Sequence, residues 1–97
     1  MIDSSPAYQL GRLFAVCEKA NREINHTKEN LTTPYNLHTT CRSPREVFPA
    51  LLRRFTTNEN RDQISEILAT VKEIPLTFNS PEQSSFYLGY HHERRKP

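Results

Sequence analysis

Three Ser-Pro pairs, Ser5-Pro6, Ser43-Pro44 and Ser80-Pro81, divide the chain, and each stands just before apolar residues spaced three and four apart. A Ser hydroxyl accepts from the exposed N–H groups of a first helical turn, and a Pro placed there forfeits no hydrogen bond. The pairs therefore read as helix starts. Two are reinforced by a polar side chain three residues on, Glu46 after Ser43 and Gln83 after Ser80, the spacing of a reciprocal capping box. Two glycines in 97 residues leave little material for tight hairpins, so an all-α fold follows.

The first helix is expected near residues 6–25, with Leu10, Leu13, Phe14, Cys17, Ala20 and Ile24 on one buried stripe. Gly11 inside it costs roughly 1 kcal/mol of helix propensity relative to Ala, which predicts close approach by another helix or chain. Residues 28–42, rich in Thr and Asn and without a clear period, predict a long connection with one short turn around Tyr35 to His38. The next helix, near 44–56, buries Val47, Phe48, Leu51, Leu52 and Phe55, with a kink at Pro49. A third, near 61–73, carries Ile64, Ile67, Leu68 and Val71 and is stopped by Ile74-Pro75; the last, near 81–93, carries Phe86, Leu88 and Tyr90. The expected architecture is a small bundle of four main helices with one long loop, a single domain over 1–97 with flexible ends at 1–4 and 94–97.

Catalytic chemistry finds little support. Cys17, Cys41, His26, His38, His91 and His92 form no CxxC pair and no His pair one helical turn apart, so no metal site is expected. There is no nucleophile elbow and no paired catalytic carboxylate, and two glycines cannot build a phosphate-cradling loop. The expectation is a chain that is not an enzyme and takes no cofactor. No apolar run is long enough to span a bilayer and no signal sequence is evident, so the expected location is the cytoplasm, with both thiols free and Cys17 a small core residue.

Thirteen Lys and Arg against eleven Asp and Glu give a net charge of only +2, so placement matters more than the total. On the first helix Arg12, Lys19, Arg22 and His26 lie opposite the Leu10-Phe14-Cys17 stripe and form a basic outer face. A second basic group, Arg42, Arg45, Arg53 and Arg54, flanks the long loop and the solvent side of the helix after Pro44. Asp62, Glu66 and Glu73 make the opposite face of the 61–73 helix acidic, a surface that a phosphate backbone avoids. Singly, each cation suits a solvated surface with local ion pairs; together the two groups fit phosphate contact without base reading.

Three strings are more specific: Tyr8-Gln9-Leu10-Gly11-Arg12-Leu13-Phe14-Ala15, Val47-Phe48-Pro49-Ala50-Leu51-Leu52-Arg53, and Leu88-Gly89-Tyr90-His91-His92-Glu93-Arg94. In order and spacing they resemble the C-terminal helical region of the large subunit of the type I-C CRISPR Cascade complex, over nearly the whole chain. That family also makes this region separately, by internal translation initiation, as the complex's small subunit, and Met1 stands where such a start would fall. In the middle connection the family's Arg-Tyr-Phe-Gly string is matched by Pro34-Tyr35-Asn36-Leu37, with only Tyr35 in common. The resemblance implies a helical subunit without nuclease activity that packs along the belly of Cascade. Its implied partners are the backbone subunits, the large subunit, another copy of itself, and the R-loop of guide RNA and target DNA, especially the displaced non-target strand. The competing expectation is a helical protein–protein adaptor that never touches DNA.

Overall fold

The computed structural model describes residues 5–23, 33–55, 60–71 and 73–96. All the secondary structure among them is helical: α1 (Pro6–Glu23), α2 (Pro34–Arg42), α3 (Pro44–Phe55), α4 (Arg61–Ala69) and α5 (Ser80–Arg94). Five helices stand where four were expected, because α2 occupies the segment that the sequence pattern assigned to a long loop. Ile24, Asn25, His26 and residues 28–32, along with Thr56 at the expected end of α3, lie outside the described residues.

The α2 helix begins as the Ser-Pro rule would have it, with Thr in place of Ser. Thr33 Oγ1 accepts from the Asn36 N–H at 3.1 Å and Pro34 fills the first helical position. Its threonines hid it. Thr39 Oγ1 donates to the Tyr35 carbonyl at 3.1 Å and Thr40 Oγ1 to the Asn36 carbonyl at 2.6 Å. With its hydroxyl satisfied inside the helix, Thr40 presents its methyl to the core and is fully buried beside Cys41. One polar position, Thr40, thus carries part of a buried face that no apolar count registers.

Two other boundaries move for local reasons. α4 ends at Ala69, not near 73, because the Thr70 N–H and hydroxyl both turn back to the Ile67 carbonyl, at 3.1 and 2.7 Å. That tightens the last turn and stops propagation. At α5 the reciprocal box belongs to Asn79 and Glu82, not Ser80 and Gln83: the Glu82 N–H donates to Asn79 Oδ1 and the Asn79 N–H to Glu82 Oε1, each at 2.9 Å. Ser43 closes α2 by donating its N–H to the Thr39 carbonyl, and its own carbonyl accepts from Glu46 N. The first pair behaves as read, with Ser5 Oγ accepting from the Tyr8 N–H at 3.3 Å.

α1 is the central element. It packs most extensively on α5 and also touches α3 and α4, while α2 rests on α3 and α5. The predicted stripe is buried, with Leu10, Leu13, Phe14 and Cys17 fully enclosed, and so are Ala7, Tyr8, Gln9, Ala15 and Val16 on other sides. Phe14 meets Phe86 and Tyr90 edge to face, with ring centroids 6.4 and 5.8 Å apart, and Phe78 joins Phe86 at 6.1 Å. Each such fully buried large apolar side chain contributes about 1.5–3 kcal/mol through removal from water. Phe48, Leu51, Ile64 and Ile67 complete the core from α3 and α4, whereas Leu88, expected on the apolar side of α5, is 47 % exposed.

The prediction drawn from Gly11 is met by the α1–α5 crossing. A Cβ on Gly11 would overlap the Phe86 carbonyl, and a Cβ on Gly89 would overlap the Tyr8 carbonyl. The two glycines of the chain are spent on this one contact.

Candidate nucleic-acid interface

The seven cations singled out from charge placement do not form one surface. Arg12 is turned inward rather than out: its Nε lies 2.9 Å from Glu93 Oε1 on α5, its Nη1 donates to Gln9 Oε1 at 2.8 Å, and its side chain is 24 % exposed. Of the basic outer face expected on α1, Lys19 is exposed among the described side chains. Arg22 falls in the last turn of α1, and its side chain, like His26, lies outside the described residues.

Of the second group, Arg42 and Arg53 are exposed and Arg54 is half-buried and already engaged. Arg45 is exposed but committed to structure: its Nε donates to the Ile74 carbonyl at 2.9 Å and its Nη2 to Glu73 Oε1 at 3.0 Å. Together with the Phe78 N–H, which donates to the Arg42 carbonyl at 3.1 Å, this ties the α4–α5 connection to the α2–α3 corner. Arg53 shares the solvent side of α3 with Arg45, Glu46 and Pro49, all exposed, about 12 Å along the axis from Arg45 at a rise of 1.5 Å per residue. Asp62 and Glu66 are exposed on α4 as read.

A third basic locus was not anticipated. Lys19 of α1, Gln63 of α4, and Glu93, Arg94 and Lys96 at the end of α5 surround a groove of about 360 Å³ floored by Ala15 and Val16. Glu93, its side chain only 8 % exposed, is the hub: it takes Arg12 and Lys96 on Oε1 and the Gln63 amide on Oε2 at 3.2 Å. Glu18 beside it accepts from the Tyr90 hydroxyl at 2.6 Å and pairs with Arg94 Nε at 3.1 Å, and the Arg94 guanidinium lies 5.3 Å from the Tyr90 ring centroid. The signal available in the sequence was the Arg94-Arg95-Lys96 run; its meeting with Lys19, seventy-odd residues earlier, depends on the α1–α5 crossing.

The titratable groups point away from catalysis. Burial pushes the Cys17 thiol up to about 12 and raises that of Cys41, a hydrogen bond with Tyr87 offsetting part of the latter rise. Neither thiol is then a thiolate at neutral pH, the form a nucleophile or ligand needs. Among the described residues no group of three or more His, Cys, Asp or Glu is placed to hold a metal ion, and no helix is long and apolar enough to cross a membrane.

Among the described residues the arrangement is thus a helical body with exposed cations at two loci. No curated protein gives a significant match to the chain. The family described as CRISPR-associated protein (Cas_Csd1) matches residues 2–97, nearly every position, which makes this chain a member of the Cas_Csd1 family.

Proposed function

We propose that the chain is the non-catalytic small subunit of a type I-C CRISPR Cascade surveillance complex in the cytoplasm. It packs along the belly of the complex, against the backbone subunits, the large subunit and another copy of itself. There it stabilises the R-loop by holding the displaced non-target strand through exposed cations. The observation that carries this reading is the family match across residues 2–97, joined to an all-helical body that offers charge rather than reactive groups.

The physical logic is economical. When base pairing with a guide RNA reads the sequence, a subunit beside the unwound DNA needs only to neutralise phosphates and present a fixed shape. Arg42 and Arg53 of the α2–α3 face and Lys19 of α1 are exposed for that task, while Arg12 and Arg45 hold the helices that carry them. Arg22 and Arg54 remain in the proposed set on charge placement.

The internal engagement of Arg12 and Arg45 favours a second reading, a protein–protein adaptor in the same assembly without DNA contact. Co-purification with guide-RNA-bound backbone subunits tests what the two share. Stable incorporation at fixed stoichiometry supports membership in the complex, and failure to join removes both readings.

A further inference from the structure

We propose that the groove between α1, α4 and the end of α5 is a docking site for the sugar-phosphate backbone of a single nucleic-acid strand. This deepens the function proposed above and rests on it, but places the contact away from the α2–α3 arginines.

Charge is the first argument. Lys19, Arg94 and Lys96 line the groove with a single carboxylate, Glu93. Glu93 is engaged by internal partners, Arg12, Lys96 and Gln63, and behind Arg94 the Glu18 carboxylate accepts from Tyr90 on Oε2, while its buried Oε1 meets Arg94 Nε as a charge pair without a hydrogen bond. The cations are not exhausted by these pairs. A guanidinium has five N–H donors and an ammonium three, and each of these pairs can engage only one of them, at Arg94 Nε and at Lys96 Nζ. Both remain about half exposed, at 46 % and 57 %, and Lys19 is exposed on the facing helix.

Shape is the second. The floor is made by Ala15 and Val16, side chains too short to fill the space between the helices. At about 360 Å³ the groove falls at the small end of ligand clefts, ~300–1,000 Å³, which suits a stretch of one strand and not a duplex. Pairing with Glu18 and Glu93 holds Arg94 and Lys96 on the rim before any ligand arrives, so little side-chain ordering remains for binding. Lys19, Arg94 and Lys96 offer point charges to phosphate, and contacts of that kind are indifferent to sequence.

The test is fluorescence anisotropy of the full chain with a labelled single-stranded DNA of mixed sequence, about 15 nucleotides long, over a salt series. Lys19→Gln combined with Lys96→Gln should weaken binding at least tenfold at low salt. It should also lower the slope of log K against log salt by about 1.4, since each phosphate contact on a single strand contributes about 0.7. Lys19→Gln alone, an exposed position that leaves Glu93 and its partners untouched, guards against a folding defect and should lower the slope by about 0.7. Arg53→Gln serves as the comparison on the other face. Groove variants that bind with wild-type affinity and slope, while Arg53→Gln weakens binding, overturn the groove and leave the function standing. A wild-type chain that fails to retain the oligonucleotide at low salt overturns both, and retention of a polyglutamate peptide instead would reassign the groove to an acidic protein segment.

Discussion

Gly11 and Gly89 lie across from one another where α1 meets α5, each so close to the opposing backbone that a methyl group on it would overlap a carbonyl, of Phe86 in one case and Tyr8 in the other. Everything placed by this crossing, from the Phe14–Phe86 contact to the Arg12–Glu93 pair, depends on that distance.

Gly11→Ala and Gly89→Ala should therefore each destabilise the fold. Ala is the better helix former by roughly 1 kcal/mol, but the obstruction is backbone and cannot rotate aside, and overpacking of this kind costs about 1–3 kcal/mol or more. Urea unfolding should show a net loss of about 2 kcal/mol for either variant. A gain in stability would mean that the two helices do not cross at these residues.

Glu93 gathers Arg12 of α1, Gln63 of α4 and Lys96 of its own helix, with its side chain only 8 % exposed. Glu93→Ala should cost about 2–3 kcal/mol, since it leaves the half-enclosed Arg12 without its partner, whereas Glu73→Ala, at the exposed Arg45 pair, should cost less than about 1 kcal/mol. Equal losses in denaturant titrations would contradict the burial-based ranking.

The Cys17 thiol, pushed up to about 12 by burial, links stability to alkaline pH. An unfolded thiol ionises near its ordinary value of 9.0 while the folded one stays protonated, so this group's contribution is intact below about pH 9 and stability is lost as pH rises toward 12. The slope over that window is about 1.4 kcal/mol per pH unit for this group. Cys17→Ala should remove its share of the slope, as read from unfolding curves at several pH values; an unchanged slope would contradict the assignment.

Leu51 is fully enclosed and Leu88 is 47 % exposed, although both fall in apolar helical strings. Leu51→Ala should cost about 2–5 kcal/mol and Leu88→Ala less than about 0.5 kcal/mol. Thermal unfolding of the two variants separates them, and comparable losses would mean that the face of α5 is misassigned.

How far the sequence alone could be read depends on the kind of signal. Caps and apolar period are local, so α1, α3, α4 and α5 were legible, with boundaries off by the few residues over which Thr70 and Asn79 compete with their neighbours. α2 was not, because Thr40, which satisfies its hydroxyl on its own helix, looks polar in a string and is fully buried. Charge placement fared worse. A helical wheel assigns Arg12 to an outer face only if α1 has one, and α1 is enclosed by other helices on most sides. Whether an Arg meets solvent or a carboxylate on another element is a tertiary fact. For the same reason the Arg94-Arg95-Lys96 run was visible in the order of residues, but its meeting with Lys19 across the groove was not.

On the function proposed above, the chain holds unwound DNA within a CRISPR complex by phosphate neutralisation. The most direct measurement is R-loop yield from assembled complexes at two salt concentrations, comparing Arg42→Glu with Arg53→Glu against Asp62→Ala with Glu66→Ala. Lower yield on every target alike is expected for the arginine pair, with the larger fold-loss relative to wild type at the lower salt, while the acidic pair leaves the yield nearly intact. Wild-type yield and salt dependence for the arginine pair, in complexes that assemble normally, would contradict it.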